Sequence, residues 1–177
     1  MPIAWTQGTD DPIYPVRQWV SSGQVGTKMY IIGGYELSNG VRIYDMQADT
    51  WSAGASYVIG TNQPANQAPA VGTKLYVAGG GKMCVYDTVA NSWSYYIGSN
   101  NLNFPSSYAV GTDIYVVGGW SNTTAFWKFN TLTNAWSDLG VLPFAHTYMG
   151  SIIGIDSDNF RLFGSTYGTG NAANDWW

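Results

Sequence analysis

Short apolar runs closed by glycine recur along the chain, separated by polar turns, and each is too short for a helix. The first is Tyr30-Ile31-Ile32 before Gly33-Gly34; its counterparts are Leu75-Tyr76-Val77-Ala78 before Gly79-Gly80 and Tyr115-Val116-Val117 before Gly118-Gly119. Such runs predict inner strands buried on both faces. Val-Gly-Thr precedes each run, at Val25, Val71 and Val110, and Tyr44-Asp45, Tyr86-Asp87 or Phe129-Asn130 follows it. Trp51, Trp93 and Trp136 complete the copies. In all three the first glycine lies eight residues after the valine, and the tryptophan seven after the Tyr or Phe. An internal repeat of this period predicts a solenoid or a propeller.

Each landmark has a physical reason. The paired glycines allow positive φ and close backbone approach. The Asp or Asn ending the next strand is suited to bond the following turn. The tryptophans offer large apolar faces for packing between neighbouring units.

A strand ending in Gly-Gly, a second ending in Tyr-Asp, a tight turn and a third opening with Trp resemble the kelch repeat, over most of the chain. The resemblance implies an all-β fold, a small four-bladed kelch-like β-propeller forming a single domain over residues 1–177. The expected blades are approximately 18–56, 66–97, 106–139, and 146–177 plus 3–8. In blade two the middle connection shortens to Gly81-Lys82-Met83. A weaker fourth copy runs through Ile153-Gly154-Ile155 and Phe160 to Ser165. Trp5 precedes Val25 by twenty residues, as Trp51 precedes Val71, so the N-terminal segment is expected to supply the outermost strand of the last blade. That strand closes the ring within one chain or is exchanged between subunits.

Composition narrows the partners. A formal charge of −4 and seven scattered Lys and Arg argue against a nucleic-acid surface. No stretch approaches the roughly 20 apolar residues that cross a bilayer. The start, Met-Pro-Ile-Ala-Trp, carries no signal pattern, and the expectation is a soluble protein made in a cytoplasm, with incorporation into a virion compatible with it. Cys84 is the one cysteine and reads as a small core residue.

The same residues carry few of the groups that catalysis needs. The copper oxidases among kelch-type propellers need two imidazoles, and His146 is the single histidine. Asp156-Ser157-Asp158-Asn159 lacks the glycine and distal glutamate of a calcium loop and reads as a polar turn. Glu36 is the only glutamate and stands nearest in sequence to Arg17 and Arg42. No catalytic residue, metal site or cofactor is expected.

Connections from second to third strand, and from each outer strand to the next inner strand, open on one face and vary in length. Recognition concentrates on such loops. The candidate partner-binding residues there are Tyr14, Tyr35, Glu36, Tyr57, Asn62, Asn101, Trp120 and Asn122. The expected function is a non-catalytic binding or assembly module for a protein or glycan, with a phage decoration, fibre or receptor-binding component as one setting and homo-oligomerisation open. The alternative is a carbohydrate-active enzyme of the sugar mutarotase or lyase kind.

Overall fold

A computed structural model describes residues 7–13, 19–34, 40–56, 67–98, 102–120, 123–143, 145, 150–154 and 156–163. Every regular element among them is a β-strand. The first sheet is β1 (Ser21–Val25), β2 (Lys28–Ile32), β3 (Val41–Asp45) and β4 (Thr50–Gly54). The second is β5 (Ala70–Val71), β6 (Lys74–Gly79), β7 (Lys82–Asp87) and β8 (Ser92–Ile97). The third is β9 (Ser106–Val110), β10 (Asp113–Val117), β11 (Ala125–Asn130) and β12 (Ala135–Val141). The fourth holds β13 (Ser151–Gly154) and β14 (Phe160–Phe163). In each, strands follow sequence order and pair antiparallel, which makes four up-and-down blades.

The blades pack face to face, so alternate residues of one strand enter different cores. Leu75 and Val77 of β6 join Tyr30, Ile32 and Val41 of the first blade, whereas Tyr76 and Ala78 join Ile114, Val116 and Phe129 of the third. Tyr115 and Val117 turn the other way, onto Ile152 and Leu162 of the fourth. This two-sided burial is why the inner strands read as unbroken apolar runs. Cys84 is buried in the seam between the first two blades, as its core reading requires. Trp93 and Trp136 pack at the seams of the first and second and of the second and third blades.

Tight turns set the register. Gly26, Gly72 and Gly111 each have φ near +60° in a two-residue turn between paired residues such as Val25 and Lys28. At the same end, the Oδ1 of Asp45, Asp87 and Asn130 accepts two backbone N–H groups of the turn that follows, from Gln47 and Ala48, Val89 and Ala90, or Leu132 and Thr133. The turns are also tied across the blade: Met46, Thr88 and Thr131 donate to the carbonyls of Thr27, Thr73 and Thr112.

The second blade departs from the expected connection. Lys82 and Met83 belong to β7, Met83 is fully buried, and the link is Gly80-Gly81 alone. Both have positive φ, as Gly33-Gly34 and Gly118-Gly119 do, while Gly79 stays in β6. Two left-handed residues close a two-residue hairpin, so β6, β7 and β8 run on to six residues each.

Closure by the N-terminal strand involves residues 1–6 and 164–177, which lie outside the described residues, as does Trp5. The segment 7–13 nevertheless docks on the first blade. Thr9 gives its N–H and Oγ1 to Asp49, and its carbonyl accepts the Trp51 Nε1 at 2.6 Å. Ala55 does the same at the second blade: its N–H goes to Asn91 Oδ1 at 2.7 Å and its carbonyl accepts Trp93 Nε1 at 3.0 Å. Thr9 and Ala55 each lie four residues after a tryptophan, Trp5 and Trp51. The segment thus sits on blade one as the exit of an outer strand sits on blade two. Asp11 adds a buried bidentate pair with Arg42 of β3, at 3.0 and 2.9 Å.

Asn91 combines φ +50° with acceptance from both Ala55 N–H and the buried Tyr86 hydroxyl. Asn91→Ala therefore loses two hydrogen bonds at a backbone angle alanine resists, at a cost of about 2 to 4 kcal/mol; Asn91→Gly keeps the angle and is the milder change. Urea denaturation ranks the two.

Backbone N–H donors hold Asp49, Asp87 and Asp156 below the ordinary carboxylate value of 3.8, led by those of Thr9, Ala90 and Asp158. A depressed folded pKa contributes stability that is fully present above the unfolded value and lost as pH falls through the folded one. The urea midpoint should fall as pH drops below about 4, and less steeply in Asp87→Asn.

Candidate functional site

Antiparallel succession puts the Gly-Gly ends and the outer-strand exits on one face of the propeller and the Val-Gly-Thr and Asx turns on the other. Of the residues expected to bind a partner, Trp120 is described. It follows the glycine pair of β10 and is 53% exposed. Tyr14, Tyr35, Glu36, Tyr57, Asn62, Asn101 and Asn122 lie outside the described residues, as do His146 and Arg17. Arg42 is buried against Asp11.

The link between the second and third blades anchors this face. Gly80 N–H donates to Leu102 O, and Trp120 N–H to Asn103 O, both at 2.7 Å. Gly119 has φ +114°, and a Cβ there would stand 2.5 Å from the Asn103 carbonyl oxygen, so only glycine lets the link lie flat on the strand end.

Next to the link are two residues that sequence reasoning passed over. Trp19 and Phe104 both have left-handed backbone, φ 56° and 51°, which is rare for bulky side chains. Their rings meet edge to face, with centroids 6.2 Å apart at 66°. Both stand six residues before the repeat valine, at Val25 and Val110. Phe104 is buried, whereas Trp19 is 40% exposed.

Two residues further on, Ser21, Gln67 and Ser106 occupy one place in three successive repeats, four before Val25, Val71 and Val110. Ser106 Oγ donates to Gly150 O of the fourth blade. Its counterparts, Ser21 Oγ and Gln67 Oε1, are buried without a hydrogen-bond partner among the described residues. The neighbouring atoms do stitch blades together: Ala68 N–H to Ser22 O at 2.8 Å and Ser107 Oγ to Gln67 O at 3.0 Å. Between these strands lies an open cavity of about 350 Å³, walled by residues 22–24 of β1, 67–70 leading into β5, and 107–109 of β9. None of its lining residues is charged. Aligning the repeats on their valines exposes the serine and glutamine positions and sets Trp19 and Phe104 at one place; only their left-handed backbone leaves no trace in sequence.

The carboxylates are occupied elsewhere. Asp45, Asp87 and Asp156 hold turns, Asp49 holds Thr9 and Tyr44, Asp11 holds Arg42, Asp113 pairs with Asn130 and Lys128, and Asp138 takes Gly140 N–H. The segment Asp156 to Asn159 is a polar turn closed by Asn159 Nδ2 on the Asp156 carboxylate. Among the described residues no three His, Cys, Asp or Glu side chains gather as metal ligands, and no helix is long and apolar enough to cross a membrane.

Four sheets of this succession, joined through apolar seams and locked in three of them by Asx turns, define a propeller of kelch type. The kelch motif matches residues 20–56 and 104–140, the first and third blades. The chain is a kelch-repeat protein. It is 32% identical over 132 residues to an N-(sulfonatooxy)prop-2-enimidothioate sulfolyase of Thlaspi arvense, across 61% of this chain and 38% of that one. It is 31% identical over 81 residues to an F-box/kelch-repeat protein of Arabidopsis thaliana, across 41% of this chain and 20% of the relative. The chain thus spans well under half the length of these relatives. Among solved structures it superposes on YjhT with a TM-score of 0.71 at 18% identity, over 87% of this chain and 60% of that one, a likeness of fold.

Proposed function

We propose that the chain is a non-catalytic binding module that presents the face of its variable connections to a macromolecular partner. The observation that carries this reading is the commitment of seven of the nine described aspartates to turns, seams and ion pairs. A carboxylate held below its ordinary pKa by backbone donors, as Asp49, Asp87 and Asp156 are, is a poor general base or acid near neutral pH. The opposite face is the same in three blades, turn for turn, and so has little room to encode a particular partner. The connection face differs from blade to blade and carries Trp120, an amphipathic anchor of the kind that dominates interfaces. Low charge and abundant Gly and aromatic residues suit a component of a larger particle as well as a free module.

A catalytic reading draws support from the similarity to a sulfolyase, and within this chain it would turn on Glu36, the one glutamate.

A photo-crosslinking amino acid placed at Trp120 should capture a partner in the native extract. The same group at Val89 or Leu132, exposed at 78% and 76% on the opposite face, should not. Capture from Val89 and Leu132 but not from Trp120 would overturn the choice of face; a turnover that Glu36→Gln abolishes would overturn the non-catalytic reading.

A further inference from the structure

We infer that the outer edge of β8 is a self-association site, where two copies of the chain pair antiparallel about a two-fold axis with Tyr95 of each opposite Ile97 of the other. This goes beyond the binding-module reading and does not depend on it.

The backbone fixes which groups the edge offers. Along an antiparallel pair, residues bonded across the ladder alternate with residues whose N–H and C=O point away from it. Gly98 N–H bonds Gly81 O, one step beyond the pair of Ile97 with Lys82. Ser92, Ser94 and Tyr96 are therefore the residues bonded to β7, and Tyr95 and Ile97 turn their peptide groups outward. β8 is the last strand of its sheet, so these groups meet no further strand of that blade. The side chains of Tyr95 and Ile97 lie on one face of the strand and are 51% and 75% exposed.

Such an edge is a template for strand addition unless something blunts it. The other two outer strands among the described residues are blunted. β4 ends in Ala53-Gly54, and the peptide that follows is already tied to Asn91. β12 carries Asp138, a bulge between its pairs with Ala125 and Trp127, and Gly140 at φ +96°. β8 reads Ser-Trp-Ser-Tyr-Tyr-Ile, without charge, proline or glycine, and pairs with β7 throughout without a shift.

Pattern, charge and contact size point to a second copy as the occupant. A strand that covers Tyr95 and Ile97 needs large apolar side chains at alternate positions, and β8 has them. Tyr95 against Ile97 is an aromatic and β-branched cross-strand pair, and the two-fold makes it twice. Each chain has a formal charge of −4, and β8 brings none of it to the contact. The Lys82 ammonium, 5.6 Å from the centre of the Tyr95 ring, offsets that charge locally. At the other end of β8 the Trp93 indole is engaged by the Ala55 carbonyl, so the copies overlap at the Tyr95 to Ile97 end. Each pair of opposed residues exchanges two backbone bonds, roughly four in all. A contact of that length falls short of the ~1,200 Å² of a stable interface, so the dimer is transient, with Kd on the order of 100 µM.

Sedimentation velocity on the whole chain should show monomer at about 10 µM and mostly dimer at about 1 mM. Amide exchange read by NMR should slow about fourfold at Tyr95 and Ile97 over that range, as the monomer fraction falls, and stay constant at Ser94 and Tyr96. An isotope-filtered NOE between labelled and unlabelled chains should join Tyr95 to Ile97. Tyr95→Lys and Ile97→Lys should each hold the chain monomeric with the far-ultraviolet spectrum unchanged, whereas Val89→Lys, at a position 78% exposed on the turn face, should associate as the parent does. Exchange and NOE use the unaltered chain, so they decide the matter even where a variant misfolds. A chain monomeric at about 1 mM overturns the inference; so does association that survives both edge variants or leaves the Tyr95 and Ile97 amides unprotected. Protection of those amides by another protein, without self-association, would give the edge to a foreign strand and overturn it equally. None of these outcomes bears on the crosslink from Trp120.

Discussion

The blades are held in register by an exchange made at the outer seam, where an Asx side chain and a tryptophan together grip one peptide unit of the neighbouring segment. At the second blade the gripped residue is Ala55, whose N–H goes to Asn91 and whose carbonyl accepts Trp93. The Tyr86 hydroxyl fills the remaining lone pair of Asn91, and its ring stacks on Trp93 at 4.9 Å. Burial raises the pKa of Tyr86, which keeps the hydroxyl a donor. The first blade repeats the device with Asp49, Tyr44 and Trp51 on Thr9, again with rings 4.9 Å apart. Apolar packing supplies the bulk of the cohesion, but it tolerates sliding; the gripped peptide does not.

The third blade shows what the device requires by lacking it. Phe129 stands where the tyrosines stand and offers Asn134 no hydroxyl, and Trp136 Nε1 is buried without an acceptor among the described residues. The cause lies in the second blade. Its Gly80-Gly81 hairpin lengthens the ladder until Ile97, the counterpart of Ala55, is paired with Lys82. Gly98 N–H then bonds Gly81 O, so the strand end stays with its own sheet. One peptide cannot serve both ladder and seam. The second and third blades are joined instead by the largest of the apolar clusters and by the link through Leu102 and Asn103.

Much of this was legible in sequence, and the division follows the physics. The glycine pairs, the Asx residues at 45, 87 and 130 and the tryptophans at 51, 93 and 136 have fixed offsets because each meets a local demand: a backbone angle, a turn or a seam. Local demands repeat, and repeats can be read. The second Asx position, at 49, 91 and 134, is equally regular but was passed over, since its partner lies 36 residues away at Ala55 or 40 away at Thr9. The connection of the second blade is two residues shorter than its sequence suggests, because Lys82 and Met83 look like loop until the cross-strand partner is known. The candidate site was less legible still. Trp120 lies on the expected face, but the cavity, the orphan pair at Ser21 and Gln67 and the strained aromatics arise from three strands meeting, and no single stretch encodes them.

The place of the grip also decides where the fold is free to vary. The seam lies at the outer radius and the locked turns at one end, so neither depends on the inner-strand entries at the other end. There the polar atoms are shared unevenly: the hydroxyls of Ser106 and Ser107 bridge blades, the latter onto the Gln67 carbonyl, while the Ser21 hydroxyl and the Gln67 side-chain oxygen have no partner among the described residues. A scaffold that needed those atoms for cohesion would have paired all of them, given what a buried orphan costs. Their tolerance here shows that cohesion at the inner entries rests on the bridges made by Ser22, Ser106 and Ser107 and not on the side chains of Ser21 and Gln67.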